Sequence, residues 1–172
     1  FRLIMTTLVE ILESEILLTG CDVDFYNPLL SEGGFAECSI VGLRFDVVRN
    51  RVGAIVDLKN SLQLDPNSNT GVIVFDNVEN LSWNGARTDL PFIARVVVGS
   101  TPSVSEGRYE LIMSCSGAAR LILQGSGAVF FRGTAPGMDA APPDFGSASV
   151  TEVVEGVQSW DTSIEIQGAS TT

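Results

Sequence analysis

Two runs set the architecture: Val41-Gly42-Leu43-Arg44-Phe45-Asp46-Val47 and, after the turn Arg49-Asn50-Arg51, Val52-Gly53-Ala54-Ile55-Val56-Asp57-Leu58. In the first, Val41, Leu43, Phe45 and Val47 alternate with Gly42, Arg44 and Asp46, the two-residue period of a strand with one buried face. The second reads as its return, so the pair is a hairpin.

The rhythm continues outward. Asp65 to Gly71 is a turn-rich loop, because Asx side chains and Pro-Asn favour turns. Short strands are expected at Val72–Phe75, Val78–Trp83, Phe92–Val98, Arg108–Ser114, Leu121–Leu123 and Val129–Arg132. Asn84-Gly85, Ser116-Gly117 and Gly125-Ser126-Gly127 read as turns, the last as a hairpin, and Thr101 to Gly107 as a polar loop. Turns every eight to twelve residues are the pattern of an antiparallel sandwich or barrel.

Helical periodicity is confined to the two ends. Leu8, Ile11, Leu12 and Ile16 form an apolar stripe opposite Glu10, Glu13 and Glu15, with Thr7 and Glu10 spaced as a capping box and Gly20 just past the end. Ser149 and Glu152 form a second box before Val150, Val153, Val154 and Val157, in a helix that Gly156 weakens. The expectation is one α+β domain over 1–172, mainly antiparallel β: a sandwich or partly open barrel of about eight or nine short strands with one helix near each terminus. Its parts are a helix over 8–19, a β core over 36–133, a Pro/Gly-rich loop over 134–147 and a helix over 150–159. Trp160, Ile164 and Ile166 begin a final extended stretch, and Gly168 to Thr172 is expected to fray.

Charge and composition exclude whole classes of function. The chain has 172 residues, a formal charge of −11 and no histidine, which removes imidazole acid–base chemistry, Ser-His-Asp and Cys-His sites and His-ligated metals. A pI near 4.2 argues against nucleic acid. No apolar run approaches the roughly 20 residues of a membrane span, and Phe1 to Met5 lacks the apolar region of a signal peptide, with Met5 a candidate start. Cys21, Cys38 and Cys115 lack C-x-x-C spacing and read as free thiols of a cytoplasmic protein, one disulfide plus a free thiol being the less favoured alternative.

Motif-like features carry little chemistry. Asp65-x-Asn67-x-Asn69-x-Gly71 with Asp76 superficially matches a calcium loop, but its glycine is misplaced by one position and strands flank it. Asp22, Asp24, Asn27 and Glu32 or Glu37 read as a solvated loop before they read as cation ligands. Ser114-Cys115-Ser116 lacks a base, since Lys59 is the only lysine and no S-x-x-K spacing surrounds it. No cofactor and no metal are implied.

Residues 41–47, 52–64, Pro136-Gly137-Met138, Pro142-Pro143-Asp144-Phe145 and the closing helix with Trp160 resemble a group of uncharacterised actinobacterial proteins, from about Leu8 to Ile166. That resemblance implies no activity. Size, acidity and a mostly β core are also similar to immunity proteins of bacterial toxin systems, an analogy of fold and charge.

The acids are unevenly spread. Residues 1–46 hold eight against Arg2 and Arg44, residues 134–172 hold six against no base, and residues 47–133 hold seven against eight bases. The leading expectation is a non-catalytic protein-binding domain, an acidic inhibitor of a basic toxin being its sharpest form. Its contacts would be Glu10, Glu13, Glu15, Asp139, Asp144, Glu152 and Glu155. The alternative is a β-barrel carrier whose ligand lies among Phe45, Trp83, Phe92, Tyr109 and Phe130, and behind it a carboxylate- and metal-dependent enzyme. A basic protein and a second copy are the expected partners, with nucleic acid and membrane excluded.

Overall fold

The computed structural model describes residues 4–14 and 21–172. In chain order the elements are β1 (Ile4–Thr7), α1 (Leu8–Glu13), β2 (Ser39–Asp46), β3 (Arg51–Asp57), β4 (Thr70–Asp76), β5 (Asn80–Asn84), β6 (Val97–Ser105), β7 (Arg108–Cys115), β8 (Ala119–Gly125), β9 (Gly127–Thr134), α2 (Val150–Gly156) and β10 (Ser163–Thr171). All strand pairs are antiparallel and form two sheets, a six-stranded one ordered β1-β10-β9-β4-β3-β2 and a four-stranded one ordered β5-β8-β7-β6. The smaller sheet is a Greek key: residues 85–96 carry the chain across its end from one edge to the other.

Why β3 and β4 break the alternating pattern is plain from their position. Ala54, Val56, Ile73 and Phe75 face the four-stranded sheet and pack with Tyr109, Leu111, Met113, Leu121 and Leu123. Ile55, Val72 and Val74 face the other way and are covered by Leu8, Ile11 and Leu12 of α1. Strands buried on both faces need apolar side chains throughout. Tyr109 stacks on Phe75 at 5.2 Å, and its buried hydroxyl donates to the Leu29 carbonyl at 2.6 Å.

The two acidic ends meet. β1 pairs with β10, the Leu8 and Val9 N–H groups donate to the carbonyls of Thr162 and Trp160 at 3.0 and 2.9 Å, and Val23 bridges Ala169.

Several expectations require correction. The first helix stops at Glu13, because Ser14 is extended (φ −108°, ψ 151°); Glu15, Ile16 and Gly20 lie outside the described residues. The second ends at Gly156, where Val157 turns extended and the chain dives to bury Gln158. Thr101 to Ser105 is strand, not loop: Pro102 is tolerated because β6 lies on an edge. Residues 168–171 do not fray but complete β10, paired with β9 on one side, with Val23 bridging Ala169 on the other, so the β core extends beyond 36–133 to both ends. Gly125-Ser126-Gly127 is not a hairpin turn. β8 and β9 belong to different sheets, and the turn is a corner between them. Ser126 N donates there to the Asp76 carbonyl at 3.0 Å, and a β-carbon on Gly125 would collide with that oxygen. A bulge at Ile40/Gly42 shifts the register of β2, and Phe45, opposite Val52 near the end of this edge strand, is 44% exposed.

Candidate binding groove

Three contiguous concavities run along one flank, between α2, the Pro/Gly-rich loop and residues 90–95. The first, about 440 Å³, is lined by residues that include Ala141, Pro143, Asp144, Glu152 and Glu155. The second, about 410 Å³, shares Pro143 and Asp144 with it and adds Leu90, Phe92, Ile93 and Phe145. The third, about 170 Å³, shares Ile93 and Phe145 and adds Ile40, Val41, Arg95, Val153 and Val157. Shared residues place them side by side along this flank, which forms the candidate groove, and the second and third are lined mainly by apolar residues.

Each wall has a local cause. α2 starts on a complete capping box: Ser149 Oγ accepts from Glu152 N at 3.2 Å and a Glu152 carboxylate oxygen from Ser149 N at 2.6 Å. Val153 and Val157 then face the groove while Val150 and Val154 face solvent. Gly156 is more than a weak helix residue, since a β-carbon there would lie 3.1 Å from Pro143 Cδ; its absence lets α2 sit against the loop. Asp144 ties that loop into a turn, accepting from Gly146 N at 3.1 Å and Ser147 Oγ at 2.9 Å.

The loop is moored to the sheet by Asn69, which is almost fully buried. Its side-chain oxygen accepts from Ala135 N at 2.8 Å and Thr70 Oγ1 at 2.9 Å. Its side-chain nitrogen donates to Ala135 O at 3.1 Å and Asp139 Oδ1 at 2.8 Å. Gln158 Nε2 reaches Thr70 Oγ1 at 2.9 Å from the far end of α2. Residues 93–96 are fixed in turn by Ser116 Oγ, which donates to Ala94 O and accepts from Val96 N, and by Ile40 N, which donates to Arg95 O.

The expected acidic contacts divide. Asp144, Glu152 and Glu155 line the groove, and Asp139 lies on the same loop, engaged with Asn69. Glu10 and Glu13 do not join them. Glu10 closes the α1 capping box with Thr7 N and also accepts from Thr6 Oγ1, bonds that lower its pKa; Glu13 pairs with Arg44 at 3.3 Å. Glu15 is outside the described residues. The expected aromatic pocket is not assembled either. Tyr109 and Phe130 are closed in the core, Phe45 is exposed on the edge strand β2, Trp83 lies on the edge strand β5, and of the five only Phe92 lines the groove.

Other polar motifs are spent on structure. Asp65 Oδ1 accepts from Asn67 N at 2.9 Å, the Asx turn expected, and its other oxygen pairs with Arg132. Asp24 grips the same guanidinium through both oxygens, at 2.6 and 2.8 Å, while Asn27 Nδ2 donates to Thr171 O. Sequence reasoning missed Asn69, Phe145 and Val157 as groove builders; only Phe145, an aromatic after two prolines, carries any local signal.

No family model matches this chain, and neither does any curated protein. A solved structure of an uncharacterised protein from Neisseria gonorrhoeae is similar to it at 12% identity and a TM-score of 0.40, over 56% of this chain and 91% of that one, too slight a likeness to argue from.

Proposed function

We propose that the protein is a non-catalytic binding domain that seats a basic, partly apolar segment of another protein in the groove beside α2. One observation carries this: Phe92, Ile93, Phe145, Val153 and Val157 line the second and third concavities, Asp144, Glu152 and Glu155 line the first, and Arg95 is the one base among the lining residues. The apolar part supplies contact area, and the carboxylates steer and orient a cationic partner. A basic toxin held by an acidic inhibitor is one form of this chemistry. The absence of histidine, the use of Glu10 in a helix cap and the pairing of Glu13, Asp24 and Asp65 with arginines support a role without catalysis.

A labelled peptide of alternating lysine and leucine tests the reading by fluorescence anisotropy. The triple variant Asp144→Asn, Glu152→Gln, Glu155→Gln removes three charges, and glutamine still serves the α2 cap. Three surface charge contacts of about 0.5 kcal/mol each amount to roughly tenfold weaker binding at low salt. Wild-type affinity should fall steeply as salt is raised, and that of the variant should not. Equal affinities and equal salt dependences would refute the proposal.

A further inference from the structure

A sheet that ends in solvent leaves a row of backbone N–H and C=O groups unpaired, and folded chains blunt such margins with short strands, charges, proline or a covering segment. Three of the four margins here are blunted. β1 has only four residues. The first half of β2 is covered by residues 95–96, with Ile40 N donating to Arg95 O at 3.0 Å and Ser39 bridging Val96, and its second half carries the charges of Arg44 and Asp46. β6 is covered by residues 33–38: Gly33 N donates to Ser100 O at 2.7 Å, Glu37 N to Val97 O at 2.9 Å and Val97 N to Cys38 O at 2.7 Å. Pro102 interrupts the remainder of β6.

β5 has none of these devices. Asn80-Leu81-Ser82-Trp83-Asn84 contains no charge and no proline, pairs with β8 in unbroken register and is exposed at every position. Among the described residues no backbone hydrogen bond reaches it from its other side. Leu81 and Trp83 lie in register with Leu123 and Leu121, which are fully buried, so they belong to the apolar face of the sheet. On this outermost strand they remain 36% and 41% exposed.

Two observations point to what fits against it. The strand reads alike in both directions: amide, apolar, hydroxyl, apolar, amide. An antiparallel copy centred on Ser82 therefore sets Leu81 against Trp83, Asn80 against Asn84 and Ser82 against its own equivalent, the self-complementarity that a two-fold interface demands. Charge permits the approach as well. The excess of acids lies in residues 1–46 and 134–172, whereas the four strands of this sheet hold a single carboxylate, Glu110, against Arg108 and Arg120. Two copies that meet here bring together nearly neutral strands despite a net charge of −11 on each chain.

We propose that the partner of β5 is β5 of a second copy, paired antiparallel about Ser82 to make one continuous eight-stranded sheet in the order β6-β7-β8-β5-β5-β8-β7-β6. Five residues a side make a contact of the smallest class, so the dimer is weak, with a Kd of about 10–100 μM. This edge is separate from the groove, since none of its residues lines the three concavities.

Sedimentation equilibrium of the full chain, from low micromolar to near-millimolar concentration, should show a monomer–dimer equilibrium, and the β5 amides should exchange more slowly in the concentrated sample. Ser82→Lys sets like charges against each other at the two-fold and should weaken the dimer at least about fivefold. Lysine also reduces the net negative charge, so general repulsion does not account for that loss. Ser82→Glu should weaken it too, and an equimolar mixture of the two variants should associate more tightly than either alone, because the two-fold then opposes lysine to glutamate. Recovery on mixing also shows that both variants are folded. Val104→Lys, on the opposite edge strand β6, should dimerise like the wild type. A monomer at every concentration, a dimer that Ser82→Lys leaves intact, no gain on mixing the lysine and glutamate variants, or an equal loss in Val104→Lys would each overturn the proposal. None of these readouts involves the Asp144, Glu152 and Glu155 variant, so this edge and the basic-partner groove fail separately.

Discussion

Replacing Asn69 by alanine should cost more than any other single polar truncation on this flank. The side chain makes four hydrogen bonds, two with the backbone of Ala135, one with Asp139 and one with Thr70. Two of the groups do not suffer fully: Ala135 O still accepts from Met138 N, and Thr70 Oγ1 still accepts from Gln158. Ala135 N, in a fully buried residue, is left without its acceptor. At about 1 kcal/mol per net bond, with that orphan N–H included, the loss is roughly 3–4 kcal/mol. Against a domain stability of about 5–15 kcal/mol the variant still folds, with Tm lower by roughly 10 °C at this chain length. Urea unfolding gives the first number and hydrogen exchange gives the mechanism: the amides of Ala135 and Met138 should exchange faster, along with the rest of the Pro/Gly-rich loop. A loss under about 1 kcal/mol, or unchanged exchange at Ala135, would refute Asn69 as the mooring of the groove.

Two further outcomes follow from burial and space. Burial pushes the Cys38 thiol up to about 12, from an unfolded value of 9.0. The unfolded chain therefore releases this proton first as pH rises. The contribution to stability is complete below pH 9 and is lost progressively toward pH 12, at a slope of up to about 1.4 kcal/mol per pH unit. Urea midpoints measured from pH 8 upward should fall more steeply for wild type than for Cys38→Ala, and equal slopes would exclude this cause. At Gly133 a β-carbon would collide with the Glu165 carbonyl, so Gly133→Ala should part β9 from β10 and yield little soluble protein. Gly99→Ala meets nothing within 4 Å and should be neutral or gain about 0.5 kcal/mol by thermal unfolding.

How far the chain could be read depended on whether a feature is written locally. Both capping boxes were legible because donor and acceptor lie three residues apart, Thr7 with Glu10 and Ser149 with Glu152. β7 was legible because Tyr109, Leu111 and Met113 alternate on a sheet with one wet face, whereas Thr101 to Ser105 of β6, polar and interrupted by Pro102, was not. The second half of β10 was not, since Gly168, Ala169 and Ser170 carry no periodic apolar signal and are buried between β9 and the segment around Val23. Gly125 to Gly127 looks like a hairpin turn in sequence; that it changes sheets is decided by β4 and β5, which make the same crossing at Asn77. The groove was half legible: its acids stand out by charge, but Asn69, 66 residues from the Ala135 it holds, announces nothing.

The placement of β10 bears on how the molecule is made. A ribosome releases β9 with one margin bare and β1 with no neighbour at all, and both wait for residues 163–171 to slide in between. During that wait the seam is open to any extended segment, and the best-matched competitor is the same strand from a second nascent copy. Crowded synthesis should therefore favour exchanged dimers over misfolded monomers, and slower elongation should favour the monomer.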